Sequence, residues 1–153
     1  MANTYTQIHI QLVFAVKYRQ RIMVKAWRGE LFMYITGIIN NHGHKLLAIN
    51  GVEDHVHILI GLRPVEALST LVQEIKKDSS KWINDKRLVP GSFRWQDGFS
   101  AFSYSMDALP NVIRYIENQE EHHKKKSFKE EYVAMLKEFK IDFDDRYIFA
   151  DML

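Results

Sequence analysis

Two stretches in which apolar and polar residues alternate constrain this chain most. Residues 53–62, EDHVHILIGL, put Val56, Ile58, Ile60 and Leu62 on one side of an extended strand and His55 and His57 on the other, because successive strand side chains point to opposite faces. At about 3.3 Å per residue the two imidazoles share a face with their Cα atoms about 7 Å apart. Residues 5–19, YTQIHIQLVFAVKYR, repeat the pattern, with Ile8, Ile10, Leu12, Phe14 and Val16 on one side. One face of the resulting sheet is core, and the other carries two neighbouring nitrogen donors.

Between these strands the period changes. Trp27, Leu31, Tyr34, Ile35, Ile38 and Ile39 recur at helical spacing from Val24 to about Asn41, and NNHG ends the helix. HKLLAINGVEDHVHILIGL gives two short apolar runs, with Asn50-Gly51 as the turn signal of a hairpin. After Pro64, the residues Val65, Leu68, Leu71, Val72, Ile75 and Trp82 line one face of a second helix, while Lys76, Lys77 and Lys81 lie off its centre. A fourth strand is expected near Ala101 to Tyr104, then a third helix from Asp107 and Pro110 to about Lys125, and a fourth starting at a Ser127 cap. The order is βαββαβ, which predicts an α+β, ferredoxin-like antiparallel sheet with strands one and three central and added C-terminal helices. Such a fold hosts many functions and decides none.

The chain has 153 residues, 46% hydrophobic and 26% charged, enough for one compact domain spanning residues 1–153. With no cysteine, thiolate catalysis, disulfides and cysteine-based zinc sites are excluded. The N-terminal residues enter the alternating pattern directly, with neither a signal peptide nor a membrane span, so an intracellular, cytoplasmic protein is expected. A net charge of +2 permits a polyanionic partner without requiring one, and any nucleic-acid argument must come from local placement.

A His-X-His pair on a strand is as compatible with a partly solvated sheet face as with a metal site, which needs further ligands. The third helix, DALPNVIRYIENQEEHHKKK, offers some. Leu109, Val112, Ile113 and Ile116 form its apolar stripe, while Tyr115, Gln119 and His122 share a flank at spacings of four and three. Taken singly, Tyr115 fits the edge of a core and Gln119 a solvated face. His122 and His123 read best as a cationic helix end beside Lys124 that complements the helix dipole, in preference to a role in proton transfer or as a ligand replacing Gln119.

HVH at 55–57 and YIENQ at 115–119 resemble the two signature motifs of the small single-tyrosine transposases of insertion sequences, members of the HUH nuclease superfamily. HIQLVFAVKYRQRI, SSKWIND and FRWQDGFSAFSYS also resemble stretches of that family, so the likeness spans nearly the whole chain. The resemblance implies His55, His57 and Gln119 as ligands of a divalent ion, Mg²⁺ or Mn²⁺, and Tyr115 as the nucleophile. Two imidazoles with an amide oxygen suit manganese better than magnesium. It further implies cleavage and rejoining of single-stranded DNA, with hairpin-bearing element ends, through a 5′-phosphotyrosine that leaves a free 3′-hydroxyl. A homodimer follows, in which the tyrosine helix of one subunit serves the histidine pair of the other.

Lys76, Lys77, Lys81, Arg94, Lys124, Lys125 and Lys126 are candidates for phosphate contacts, and Trp95 for stacking on unpaired bases. Phe102 reads as core. Tyr147, Ile148 and Phe149 either cover the dimer arrangement or pack within the chain. Two rival classes remain open: a non-catalytic nucleic-acid-binding module, indifferent to Tyr115→Phe, and a metal-dependent phosphodiesterase that uses water and forms no covalent adduct.

Overall fold

The computed structural model describes residues 3–144 and 148. Strand β1 (His9–Ala15) leads through a short 3₁₀ turn to α1 (Lys25–Asn41), β2 (Lys45–Gly51), β3 (His55–Gly61), α2 (Leu68–Asp85) and β4 (Ser100–Tyr104); then come α3 (Leu109–Glu117), α4 (Gln119–His122) and α5 (Phe128–Glu138). The four strands form one antiparallel sheet in the order β2-β3-β1-β4. As the alternation requires, β1 and β3 are central, with Val13 opposite His57 and Ala15 opposite His55.

The two sheet faces are covered differently. Leu12, Phe14, Val56, Ile58 and Ile60 pack under α1 and α2, against Leu31, Ile35, Leu71 and Ile75. Burying such apolar side chains stabilises the fold by about 1.5–3 kcal/mol each, so this layer is the main core. On the opposite face, Val13, Ala15 and Phe102 meet Phe128, Met135 and Leu136 of α5, while Ala48 and Leu59 meet Val112 and Ile116 of α3. The histidine pair lies on this second face, beneath helices that close it from solvent.

Three local expectations change. Asn50 and Gly51 belong to β2, and the reversal falls on residues 52–54. Glycine is needed at 51 because a Cβ there would stand 2.3 Å from the His55 carbonyl oxygen. Helix α2 starts at Leu68, leaving Val65 exposed, since Glu66 is drawn out to His42 and His44 before the helix begins. The third helix is not continuous to Lys125: it breaks at Asn118 (φ −96°, ψ 19°), where Asn50 Nδ2 donates to the carbonyls of Ile116 and Glu117 at 3.0 Å each. In an unbroken helix those oxygens would receive backbone N–H groups four residues on.

Helix α5 starts as expected, with Ser127 Oγ accepting from Glu130 N and Glu130 Oε1 accepting from Ser127 N. In the tail, Tyr147 and Phe149 lie outside the described residues, whereas Ile148 packs on the α5 layer and its carbonyl accepts from Gln96. No helix among the described residues is long and apolar enough to cross a membrane.

Candidate active site

Strand β3 presents His55 and His57, both fully buried, to a point that α4 and α5 also reach. Each imidazole is fixed from behind. His57 donates from Nδ1 to Gln11 Oε1 (2.7 Å), and Gln11 is itself oriented because its amide donates to the Tyr104 hydroxyl (2.8 Å). His55 donates from Nδ1 to Asp54 (2.7 Å) while its ring stacks on Phe128. His123 donates from Nδ1 to the Lys126 carbonyl (2.9 Å). With the three Nδ1 atoms donating, the three Nε2 atoms are aimed at the shared point.

Glu131 Oε1 stands there, 3.0 Å from His57 Nε2, 3.1 Å from His123 Nε2 and 3.4 Å from His55 Nε2. Gln119 Oε1 is 3.0 Å from His123 Nε2 and 3.4 Å from His55 Nε2. The other Glu131 oxygen, Oε2, accepts the Tyr115 hydroxyl and the Gln119 amide. A single carboxylate therefore links the tyrosine to the histidine pair of the same chain. His122 lies at the margin, with Nε2 3.2 Å from Glu131 Oε2 but without hydrogen-bond geometry.

The electrostatics follow from burial and this carboxylate. Burial opposes ionisation of Glu131, yet the imidazoles of His123, His55 and His57 gathered about its oxygen outweigh it and hold the carboxyl far below its usual range. Burial likewise opposes the charged form of His55, but Asp54 and Glu131 reverse the balance and raise its pKa. At His57 burial wins, bringing the pKa down to about 4. Tyr115 is raised well above a free phenol by burial first and by the negative charge of Glu131 second, so it rests as the neutral phenol.

This donor set fits a divalent metal ion. Nε2 of His55, His57 and His123 and a Glu131 oxygen lie within 4.8 Å of one another, and acceptors on Nδ1 such as Asp54, Gln11 and the Lys126 carbonyl are how metal-binding histidines are held in the required tautomer. A cavity of about 320 Å³, bordered by Gln11, Tyr104, Tyr115, His122, Lys126 and Glu131, opens beside the tyrosine.

Of the residues singled out in the sequence, His55, His57, Tyr115 and Gln119 come together, Gln119 fully buried. His123, read as part of a cationic helix end, is turned inward instead by the break at Asn118. Glu131 was missed, because the apolar stripe of α5 does not say which sheet face it covers.

The basic candidates fall in two places. Arg94, Lys76 and Lys77 border a groove of about 430 Å³ between α2 and residues 94–99. Lys76 Nζ is spent there on the carbonyls of Gln96 and Gly98; Lys77 lies 3.8 Å from Glu74, and Lys81 pairs with Asp85 at 2.7 Å. Trp95 also borders the groove, but its ring is 6% exposed, wedged edge-on against Phe14 and Phe93 with its N–H on Ser79, so no free ring face is left for a base. Lys124, Lys125 and Lys126 form the turn between α4 and α5, on the tyrosine side; Lys124 pairs with Glu121 and Lys126 borders the Tyr115 cavity. Phe102 is core, as read.

Residues 4–119 match the protein family described as "Transposase IS200 like". The chain is 24% identical over 118 residues to the ISDra2 transposase TnpA of Deinococcus radiodurans, covering 74% of this chain and 84% of that one. Two solved structures share the fold. One is of a Deinococcus radiodurans protein proposed to be a transposase (TM-score 0.62, 24% identity, 78% of this chain and 96% of that one). The other is a REP-associated tyrosine transposase bound to a REP hairpin (TM-score 0.57, 15% identity, 77% of this chain and 70% of that one). With its tyrosine, paired histidines and glutamine gathered on one sheet face, the chain belongs to the IS200-like transposase family, the single-tyrosine transposases.

Proposed function

We propose that this protein cuts and rejoins single-stranded DNA through a 5′-phosphotyrosine on Tyr115, aided by a divalent ion held by His55, His57 and Gln119. The observation that carries the reading is the Glu131 carboxylate, which joins the Tyr115 hydroxyl to the Nε2 atoms of the histidine pair. Nucleophile and ligands are therefore one constellation in a single chain.

Tyr115 attacks the scissile phosphorus: its oxygen forms the new P–O bond, the bond to the 3′ oxygen breaks, and that oxygen takes up a proton to become a free 3′-hydroxyl. Because burial and Glu131 hold the phenol neutral, the proton leaves only as attack proceeds, and Glu131 Oε2, already its acceptor, is in place to receive it. Gln11, Asp54 and Gln119 keep the site rigid, so the phosphate meets an oriented nucleophile. A bound divalent ion supplies Lewis-acid polarisation of the phosphodiester. The ester keeps the bond energy for rejoining, and no nucleotide cofactor is required.

Lys126, Lys125 and Lys124 beside the cavity are proposed to hold the strand near Tyr115, and Arg94, Lys77 and Lys81 to form a second contact region, with Lys76 and Trp95 holding the groove wall. The hairpin-bound relative supports element ends that carry a hairpin. Two cut ends need two nucleophiles, hence a homodimer, but Tyr115 over its own chain's histidine pair makes exchange of tyrosine helices between subunits unnecessary for assembling a site.

The test is a denaturing gel of labelled single-stranded DNA carrying the flanking ends, with Mn²⁺, Mg²⁺ or chelator, for wild type and Tyr115→Phe. A metal-dependent protein–DNA adduct that vanishes in Tyr115→Phe is expected. Cleavage without adduct, retained by the variant, would mean hydrolysis by water; binding with neither product would mean a binding module.

A further inference from the structure

We infer that His123 and Glu131 join His55, His57 and Gln119 as ligands of one divalent ion, and that the ion is a first-row transition metal of the Mn²⁺ to Zn²⁺ class and not Mg²⁺. The inference deepens the metal-dependent reading above and rests on it. Both added residues lie beyond residues 4–119, the span matched by the family.

The hydrogen bonds carry the argument. Asp54 Oδ1, Gln11 Oε1 and the Lys126 carbonyl are acceptors, so each must receive a proton from Nδ1 of its histidine. With Nδ1 of each ring engaged, the Nε2 atoms of His55, His57 and His123 all point at the oxygens of Glu131 and Gln119. A single cation among them would satisfy all five donor atoms at once.

The spacing agrees. Ligand atoms about 2.1 Å from a common ion stand about 3.0–3.4 Å apart in octahedral or tetrahedral shells; the contacts here run from 3.0 to 3.4 Å. Three imidazole nitrogens with a carboxylate and an amide oxygen form a borderline donor set that suits Mn²⁺, Co²⁺ or Zn²⁺, whereas Mg²⁺ demands oxygen and keeps its waters. The cluster of His42, His44 and Glu66 makes the contrast. There His44 Nδ1 accepts from Arg63 N (3.0 Å), so Nε2 holds the proton and donates to Glu66, leaving that contact satisfied without an ion.

If Glu131 Oε1 binds the ion, Oε2 still holds Tyr115, and the ligand also positions the nucleophile.

The test is calorimetric titration of the chelator-stripped full chain with MnCl₂, ZnCl₂ and MgCl₂, for wild type, His123→Ala, Glu131→Gln and His55→Ala. Histidine ¹⁵N spectra of the wild type with Zn²⁺ accompany it. Expected are tighter binding of Mn²⁺ and Zn²⁺ than of Mg²⁺, a loss of about 10–100-fold or more in each variant, and movement of the His123 Nε2 resonance together with those of His55 and His57. Should Glu131→Gln fail to fold, the wild-type spectra decide alone. Wild-type affinity in His123→Ala and Glu131→Gln, with the His123 resonance unmoved and binding abolished in His55→Ala, would overturn the enlarged ligand set and leave the metal-dependent transposase reading standing. Absence of any divalent binding, with DNA cleavage indifferent to chelator, would overturn both.

Discussion

Gln11 on β1 holds His57 on β3 through a 2.7 Å bond from His57 Nδ1, across the pair of central strands. Because the Gln11 amide is engaged by Tyr104, its oxygen is held in place, and the tautomer of His57 is set by a residue outside the ligand set. Gln11→Leu keeps the bulk and removes the acceptor. It should weaken divalent-ion binding by about 10–100-fold with the fold intact, checked by calorimetry beside a circular dichroism melt. Unchanged affinity would show that the bond does not orient His57 for a metal.

Asn50 governs the tyrosine from the other side. Its amide, donating to the carbonyls of Ile116 and Glu117, fixes the break that turns Gln119 and His123 inward. Asn50→Ala should cost about 1–2 kcal/mol in stability, the scale of losing partners for buried polar groups. It should also slow adduct formation. Asn50→Asp should be worse, since a carboxylate faces those carbonyls with no hydrogen to donate. Urea unfolding and the rate of adduct formation check both, and an Asp variant as stable as wild type would refute the role.

Much of this was readable from residue order. The alternation in β1 and β3 assigns their faces, and together with the helical periods between them it yields the sheet order and places His55 beside His57. Gln119 is legible from its spacing to Tyr115, and so, with hindsight, is His123, four residues further on. What period alone could not show is the break at Asn118, because it depends on the Asn50 amide, 66 residues before the Ile116 carbonyl that it meets. Nor could it show where α5 docks. The apolar stripe of α5 is explicit in Phe128, Tyr132, Met135 and Leu136, but a stripe does not say which sheet face it covers. Without that knowledge Glu131 reads as an exposed helix carboxylate.

Lys76 separates a structural lysine from a DNA-binding one. Its ammonium group donates to the carbonyls of Gln96 and Gly98, pinning the segment that borders the groove. Lys76→Met should raise hydrogen exchange across residues 96–99 and leave the salt dependence of DNA binding nearly unchanged. Lys126→Met, beside the Tyr115 cavity, should lower the salt slope by about 1. Fluorescence titrations over a range of salt concentrations read both slopes. A unit drop in the Lys76→Met slope would return that lysine to the phosphate contacts.

Acid should weaken the fold in part through Glu66, which accepts from His44 Nε2 at 2.9 Å and His42 Nδ1 at 3.0 Å and so ties the start of β2 to the chain before α2. The bond from His44, reinforced by His42 and opposed by burial, holds the Glu66 carboxyl below its usual range. A carboxyl with a lowered folded pKa contributes stability that is fully present above its unfolded value, about 4.3 for glutamate, and is lost as the pH falls through the folded value. Glu66→Gln should therefore destabilise the protein by about 1 kcal/mol at neutral pH, a modest figure because the pair is partly solvated. The gap between variant and wild type should close below about pH 4.3. Urea unfolding of the two proteins at intervals from pH 7 to below pH 4 measures it directly, with the difference between variants cancelling the other carboxylates. A gap as large at the acid end as at neutrality would mean that Glu66 acts through packing alone, and that its bonds to the two histidines add nothing to stability.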